Sequence, residues 1–143
     1  MNSKTLRSLS LGAIALSRQF GVRITVEQLE KKISQGQIKS EKELKNTLKE
    51  QGVKVQRLKP SLKTLIDRSY YFPCVALMRD GTARILISCK SNMKNVVEFQ
   101  SIDPLDPTSK INVENEAEFK RNWVGSVYLI SSETGIASQD RIF

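Results

Sequence analysis

The chain of 143 residues contains no histidine. That single absence removes Ser-His-Asp and Cys-His catalysis, His-ligated zinc and imidazole acid–base chemistry together. Cysteine is nearly absent: Cys74 and Cys89 are too few for a structural zinc site. Each lies in an apolar, strand-like run, which reads as a buried reduced thiol and an intracellular compartment. Long apolar runs are missing as well. The longest, Leu11 to Leu16, falls far short of the ~20 residues a bilayer span requires. Lys4 and Arg7 ahead of Leu9 to Leu16 imitate a short signal sequence, but serines interrupt the core and Arg18 follows at once. There is no glycine-rich phosphate loop, since Gly12, Gly21, Gly36 and Gly52 are spaced as helix punctuation or close-packing sites. No Ser-x-x-Lys motif is flanked by an oxyanion device. Tyr70, Tyr71 and Phe72 form the one aromatic cluster, and its place ahead of a strand reads as a core edge rather than a base-stacking platform.

What the chain does have is positive charge and clear punctuation. With 23 Lys plus Arg against 15 Asp plus Glu, the net charge of +8 favours an acidic partner, be it nucleic acid, an anionic membrane surface or an acidic polypeptide. Lys and Arg spread over all faces with no recognisable reading helix argue against nucleic acid. Leu6, Leu9, Ala13, Leu16 and Phe20 recur at helical spacing, with Leu11, Ile14 and Ala15 on a second flank. The spacing predicts a buried first helix over 6–21, opened by Thr5 and closed by Gly21. Thr25 to Gln28 and Ser40 to Glu43 have the form of capping boxes opening two further helices, which Gly36 and Gly52 end.

From Val53 the apolar period shortens. Val53 and Val55 alternate with Lys54 and Gln56, and a short helical turn carrying Leu62, Leu65 and Ile66 follows Pro60-Ser61. Cys74 to Met78 and Ala83 to Cys89 flank the turn Arg79-Asp80-Gly81-Thr82, a hairpin near the sheet centre. Val96 to Ile102 reads as a third strand of this group, Val113 to Trp123 as a last helix and Gly125 to Ile130 as a last strand. Helices first and an antiparallel sheet later is the α+β pattern. From residue 132 the chain reads as a linker toward a following domain, so that residues 1–131 form the domain proper.

Taken in order, several stretches are similar to one family. They are Leu11-Gly12-Ala13-Ile14-Ala15-Leu16, Phe20-Gly21, Gly52-Val53-Lys54-Val55, Pro73 to Leu77, Asp80-Gly81, Asp103-Pro104, Phe119-x-x-x-Trp123-x-Gly125 and Val127 to Ile130. Together they resemble the papain-like, bacteriocin-processing cysteine peptidases of family thirty-nine, found at the N-terminus of certain ABC exporters. The resemblance implies a papain-like cysteine-peptidase fold, with N-terminal helices packed on an antiparallel β-sheet. It also assigns positions. Leu11 stands where the family has its nucleophilic cysteine, and Ala83, or Thr82 if the gap is placed differently, where it has its histidine. Thr5 stands for the oxyanion glutamine, and Asp103 alone is retained.

On these departures the chain resembles the degenerate peptidase-like domains of type I secretion ABC transporters, the haemolysin and RTX-exporter group. The resemblance implies a domain that is not an enzyme and that tethers an unfolded, acidic, RTX-type polypeptide on the cytosolic side of the bacterial inner membrane. The alternative is a docking module for the exporter's own nucleotide-binding or membrane domains. It further implies no cofactor here, ATP and Mg in a full-length dimeric transporter, and membrane-fusion and outer-membrane partners through that longer chain. Leu11, Ala83, Tyr70 and Tyr71 are the expected substrate-binding residues.

Overall fold

The computed structural model describes residues 1–132, the side chain of Tyr70 excepted. The elements run α1 (Ser3–Ser17), α2 (Val26–Ser34), α3 (Glu41–Glu50), β1 (Val53–Leu58), α4 (Leu62–Asp67), β2 (Cys74–Met78), β3 (Ala83–Ser91), β4 (Val97–Ile102), β5 (Ile111–Asn115), α5 (Glu116–Asn122) and β6 (Trp123–Ser132). The six strands form one antiparallel sheet in the order β1-β6-β2-β3-β4-β5. Hence the β2–β3 hairpin lies at its centre, as its apolar composition predicts.

Alternation along the strands divides the core in two. Val53, Val55, Val75, Leu77, Ala83 and Tyr128 point toward α1, α2 and α3 and join Leu9, Ala13, Ile14, Leu29, Leu44 and Leu48. Cys74, Ala76, Met78, Leu86 and Val127 point the other way, toward Leu65 of α4 and Phe119 of α5. A strand such as Cys74–Met78, apolar at every position, therefore serves both layers. On the second face Phe119 stacks on Phe99 with ring centroids 4.0 Å apart, and Trp123 follows at 5.4 Å.

Helix α1 begins a turn earlier than expected. Asn2, not Thr5, is its N-cap, the Asn2 Oδ1 accepting the Thr5 N–H at 2.8 Å. The Thr5 hydroxyl is committed elsewhere and donates to the Gly81 carbonyl at 2.6 Å. Three residues on, the buried Ser8 Oγ accepts the Ala83 N–H at 2.7 Å. One helical turn of α1 is thus tied by two bonds to the β2–β3 turn. That turn is itself ordered by Asp80, whose Oδ1 accepts both the N–H and the hydroxyl of Thr82 at 2.9 and 2.6 Å. Gly81 sits at φ 88°, a conformation that strains any side chain. Lower on the helix, a Cβ on Gly12 would lie 3.4 Å from Pro104 and Val75 and 3.5 Å from Ile85, ordinary contact distances, so α1 packs directly on the sheet and the β4–β5 connection there.

The capped helices α2 and α3 form as read. Thr25 and Gln28 make a reciprocal capping box. At α3 the second half is displaced by one residue: Ser40 Oγ accepts the Glu43 N–H, while the Glu43 carboxylate accepts the Lys39 N–H. Three expectations fail in detail. Gly21 closes a 3₁₀ turn (Arg18–Phe20) appended to α1 rather than α1 itself. The stretch from Val113 is not a helix, because Ile111–Asn115 pairs with β4 and the helix starts only after Asn115, which with Glu118 makes its own capping box. Ser131 and Ser132 belong to β6, paired with Lys54 and Val53. The remainder of the expected linker lies outside the described residues.

Two expected outcomes follow from the α1–hairpin tie. Ser8→Ala strands the buried Ala83 N–H without an acceptor and should cost ~1–3 kcal/mol in urea unfolding, while an unchanged midpoint would show that the bond carries nothing. Partial burial works against ionisation of Asp80, but the Thr82 bonds, then Arg84 and Lys4, hold its carboxyl below the usual range. A depressed folded-state pKa stabilises above the unfolded value of ~3.9 and is lost as pH falls through the folded value. Thermal melts of Asp80→Asn should therefore lie below the wild type at neutral pH and converge with it in acid. Parallel pH curves would contradict this.

Candidate functional site

Leu11 lies on the sheet-facing flank of α1, half-buried against the helical-face core. It lines a cavity of about 240 Å³ with Ile14, Ala15 and Arg18 of the same helical stretch, Val26 of α2, Ile85 of β3, Ile102 of β4, and Pro104 and Ser109 of the β4–β5 connection. The cavity exists because α1 covers only the centre of the sheet. Its contacts run to β2, β3 and β6, leaving the β4–β5 side of this face without a helix.

Register extends the apolar surface beyond the cavity. Ile85 opposes Ile102, and Ile102 opposes Ile111, so three isoleucines form one cross-strand row from the cavity to the sheet edge. Val113 follows on the same face of β5, two residues along. Ile111 and Val113 are about half exposed, at 54% and 53%. A cleft floored by Leu11 and Ile102 thus opens onto an apolar shelf, with the Arg18 side chain as the one charged lining group.

The other positions singled out by the sequence divide between places. Ala83 is fully buried at the start of β3, in the same cluster as Leu11, and offers no surface to a ligand. Thr5 is occupied by its bond to Gly81. Asp103 Oδ1 accepts the Leu105 N–H at 2.9 Å and orders the turn that presents Pro104. Tyr71 is buried in the opposite cluster, packed with Leu65 and Cys74, so the sheet separates it from Leu11. Tyr70 lies in the adjoining 3₁₀ turn (Ser69–Tyr71), its side chain outside the described residues. The expected substrate-binding group is therefore not one surface. The structure brings Leu11 together with Val26, Ile85, Ile102 and Ile111, which the sequence reading did not name.

Both thiols are set apart from this cleft. Cys74 points into the second core, where burial pushes its pKa up to about 12. Cys89 packs on the same cluster and is raised to about 11, by burial and then by Glu116. No helix of the described residues is long and apolar enough to cross a membrane.

Among solved structures, the fold is similar to a double glycine motif protease from an AMS/PCAT transporter in complex with its leader peptide (14% identity, 91% of this chain and 87% of that chain covered, TM-score 0.67). It is similar to the peptidase domain of Streptococcus ComA, a bifunctional ABC transporter involved in a quorum-sensing pathway (16%, 88% and 92%, TM-score 0.66). It is similar too to the N-terminal peptidase C39-like domain of the toxin secretion ATP-binding protein from Vibrio parahaemolyticus (17%, 92% and 98%, TM-score 0.59). At these identities the likeness carries the fold, the papain-like α+β arrangement expected above. No curated protein sequence matches the chain.

One expectation is overturned here. The reading that the domain is not an enzyme drew on the absence of histidine and on single positions, Leu11, Ala83 and Thr5. The family model that matches is that of a peptidase family, and neighbours in fold are named as a protease and a peptidase domain, so membership excludes no peptidase activity. Over residues 6–135, the chain belongs to the Peptidase C39 family.

Proposed function

We propose that this domain is the polypeptide-binding module of a type I secretion ABC exporter, engaging an unfolded, acidic, RTX-type substrate on the cytoplasmic face of the membrane. The observation that carries the reading is the apolar cleft at Leu11 and its continuation along Ile85, Ile102 and Ile111. A folded partner presents few unpaired apolar side chains, whereas an unfolded chain presents them singly along an extended backbone. A cavity of about 240 Å³ beside an apolar shelf admits one or two such side chains.

Fold neighbours supply the setting. One is named with a bound leader peptide and another as part of a toxin secretion ATP-binding protein. The net charge of +8 then adds long-range attraction for an acidic substrate, raising encounter rate more than affinity per contact. Apolar contact and charge respond differently to salt, since exposed charges more than ~10 Å apart are screened at 0.1 M while burial of an isoleucine is not.

Pull-down of a calcium-free RTX-type polypeptide by the isolated domain should succeed at low ionic strength and weaken at high salt. No capture at low salt would sink the proposal. Ile111→Ser replaces an exposed apolar side chain without touching the core, and Ile102→Ala shortens the cavity floor. Each should raise Kd several-fold, from ~0.8 kcal/mol per buried methylene lost, with the salt dependence kept. Unchanged affinity for both variants would move the substrate off this cleft.

A further inference from the structure

A second cavity lies on the other side of α2. It encloses about 510 Å³ and is lined by Arg23 and Ile24 ahead of α2, by Gln28, Lys31 and Lys32 on it, by Gln35 and Gln37 after it, and by Thr47, Glu50 and Gln51 at the end of α3. At ~100° per residue, Gln28, Lys31 and Lys32 stand between roughly 140° and 240° around the helix from Val26, which lines the Leu11 cleft. The two cavities therefore occupy opposite sides of one helix.

Three cations and one carboxylate give this cavity a formal charge of +2. The four ion pairs among the described residues, Arg7–Glu30, Arg57–Glu41, Arg84–Asp80 and Arg84–Glu114, all lie elsewhere. Lys32 reaches the Gln37 carboxamide at 3.5 Å, while the side chains of Arg23 and Lys31 have no hydrogen-bonding or ionic partner among the described residues. Nor are the helix-end carbonyls competing for them. The Lys31 carbonyl takes the Gln35 N–H, the Lys32 carbonyl takes those of Gln37 and Ile38, and the Ile33 carbonyl takes that of Gly36.

We infer that this cavity binds a short acidic stretch of extended polypeptide. Gln51 offers an uncommitted carboxamide, Gln28 and Gln35 keep their Nε2 hydrogens for a peptide carbonyl, and the unpaired cations select carboxylates on the peptide's side chains. A phosphate group fits less well. The C-terminal turn of α3 borders the cavity, and its partial negative charge opposes a concentrated dianion more than dispersed single charges. No aromatic side chain lines the cavity, so bases of a single-stranded nucleic acid have nothing to stack on. The inference rests on the polypeptide-binding reading for its ligand class and adds a second, electrostatic surface to the apolar one.

Fluorescence anisotropy of a labelled peptide alternating aspartate and glycine, too polar to need the Leu11 cleft, tests it. Arg23→Glu with Lys31→Glu should weaken binding on the order of tenfold beyond Lys59→Glu with Lys63→Glu, which makes the same charge change at exposed positions elsewhere. Ile102→Ala should leave this peptide's affinity unchanged. Equal weakening by the two double variants would reduce the effect to net charge and overturn the site. Tighter binding of inorganic phosphate or of a short oligothymidine, at matched ionic strength, would overturn the ligand class. Circular dichroism melts confirm that these surface variants fold. A several-fold weaker RTX-polypeptide affinity in Ile102→Ala with aspartate-peptide binding intact would separate the two surfaces.

Discussion

The close approach of α1 to the central hairpin sets the geometry of everything else. At Gly12 the helix lies against Val75, Ile85 and Pro104, and the Ser8 bond to Ala83 with the Thr5 bond to Gly81 fixes its rotation and height. Buried polar groups at such a contact cannot be traded for water, so the register between helix and strand has one solution. With α1 held there, Leu11 is turned toward the sheet, α2 packs on α1 and α3 covers β1. The far side of the same face, β4 and β5, stays open. The cleft is therefore a consequence of where the helix stops, and its apolar floor follows from Ile85, Ile102 and Ile111, which strand register sets side by side.

The two layers of the core divide the labour. The aromatic stack of Phe99, Phe119 and Trp123 packs the α5 side, and Tyr71 is buried there with Leu65 and Cys74. On the helical side, two cavities of opposite character flank α2. One is apolar with a single arginine, and the other is carboxamide-lined and cationic. An unfolded acidic chain carries both kinds of group along its length, and a surface with separate places for each recognises composition rather than one sequence.

Much of the fold was legible because its signals are local. Capping residues at Thr25 and Ser40, the glycines after α2 and α3, and the apolar run of Cys74–Met78 each report on a few neighbouring residues, and the structure places elements where they point. The strand Ile111–Asn115 was misread because Val113, Phe119 and Trp123 fit a helical period. The alternation Ile111, Val113 and the Asn115–Glu118 capping box carried the contrary signal. The site was less legible. Ile85, Ile102 and Ile111 meet only through strand register across non-consecutive segments, and the basic cavity needs two helices to be docked before Arg23, Lys31 and Gln51 share a space. The family was readable from the order of motifs spread along the chain, whereas the activity was inferred from the missing histidine and three single positions, and family membership overturned that inference.

The central claim is that an unfolded acidic polypeptide binds on the helical face at the Leu11 cleft. Backbone amide chemical shifts of the isotope-labelled domain, followed while a calcium-free RTX-type polypeptide is added at low salt, test this most directly. The account predicts perturbations centred on Leu11, Ala15, Val26, Ile102 and Ile111. Perturbations confined to the α5 face around Phe119 and Val124, with those amides unmoved, would contradict it.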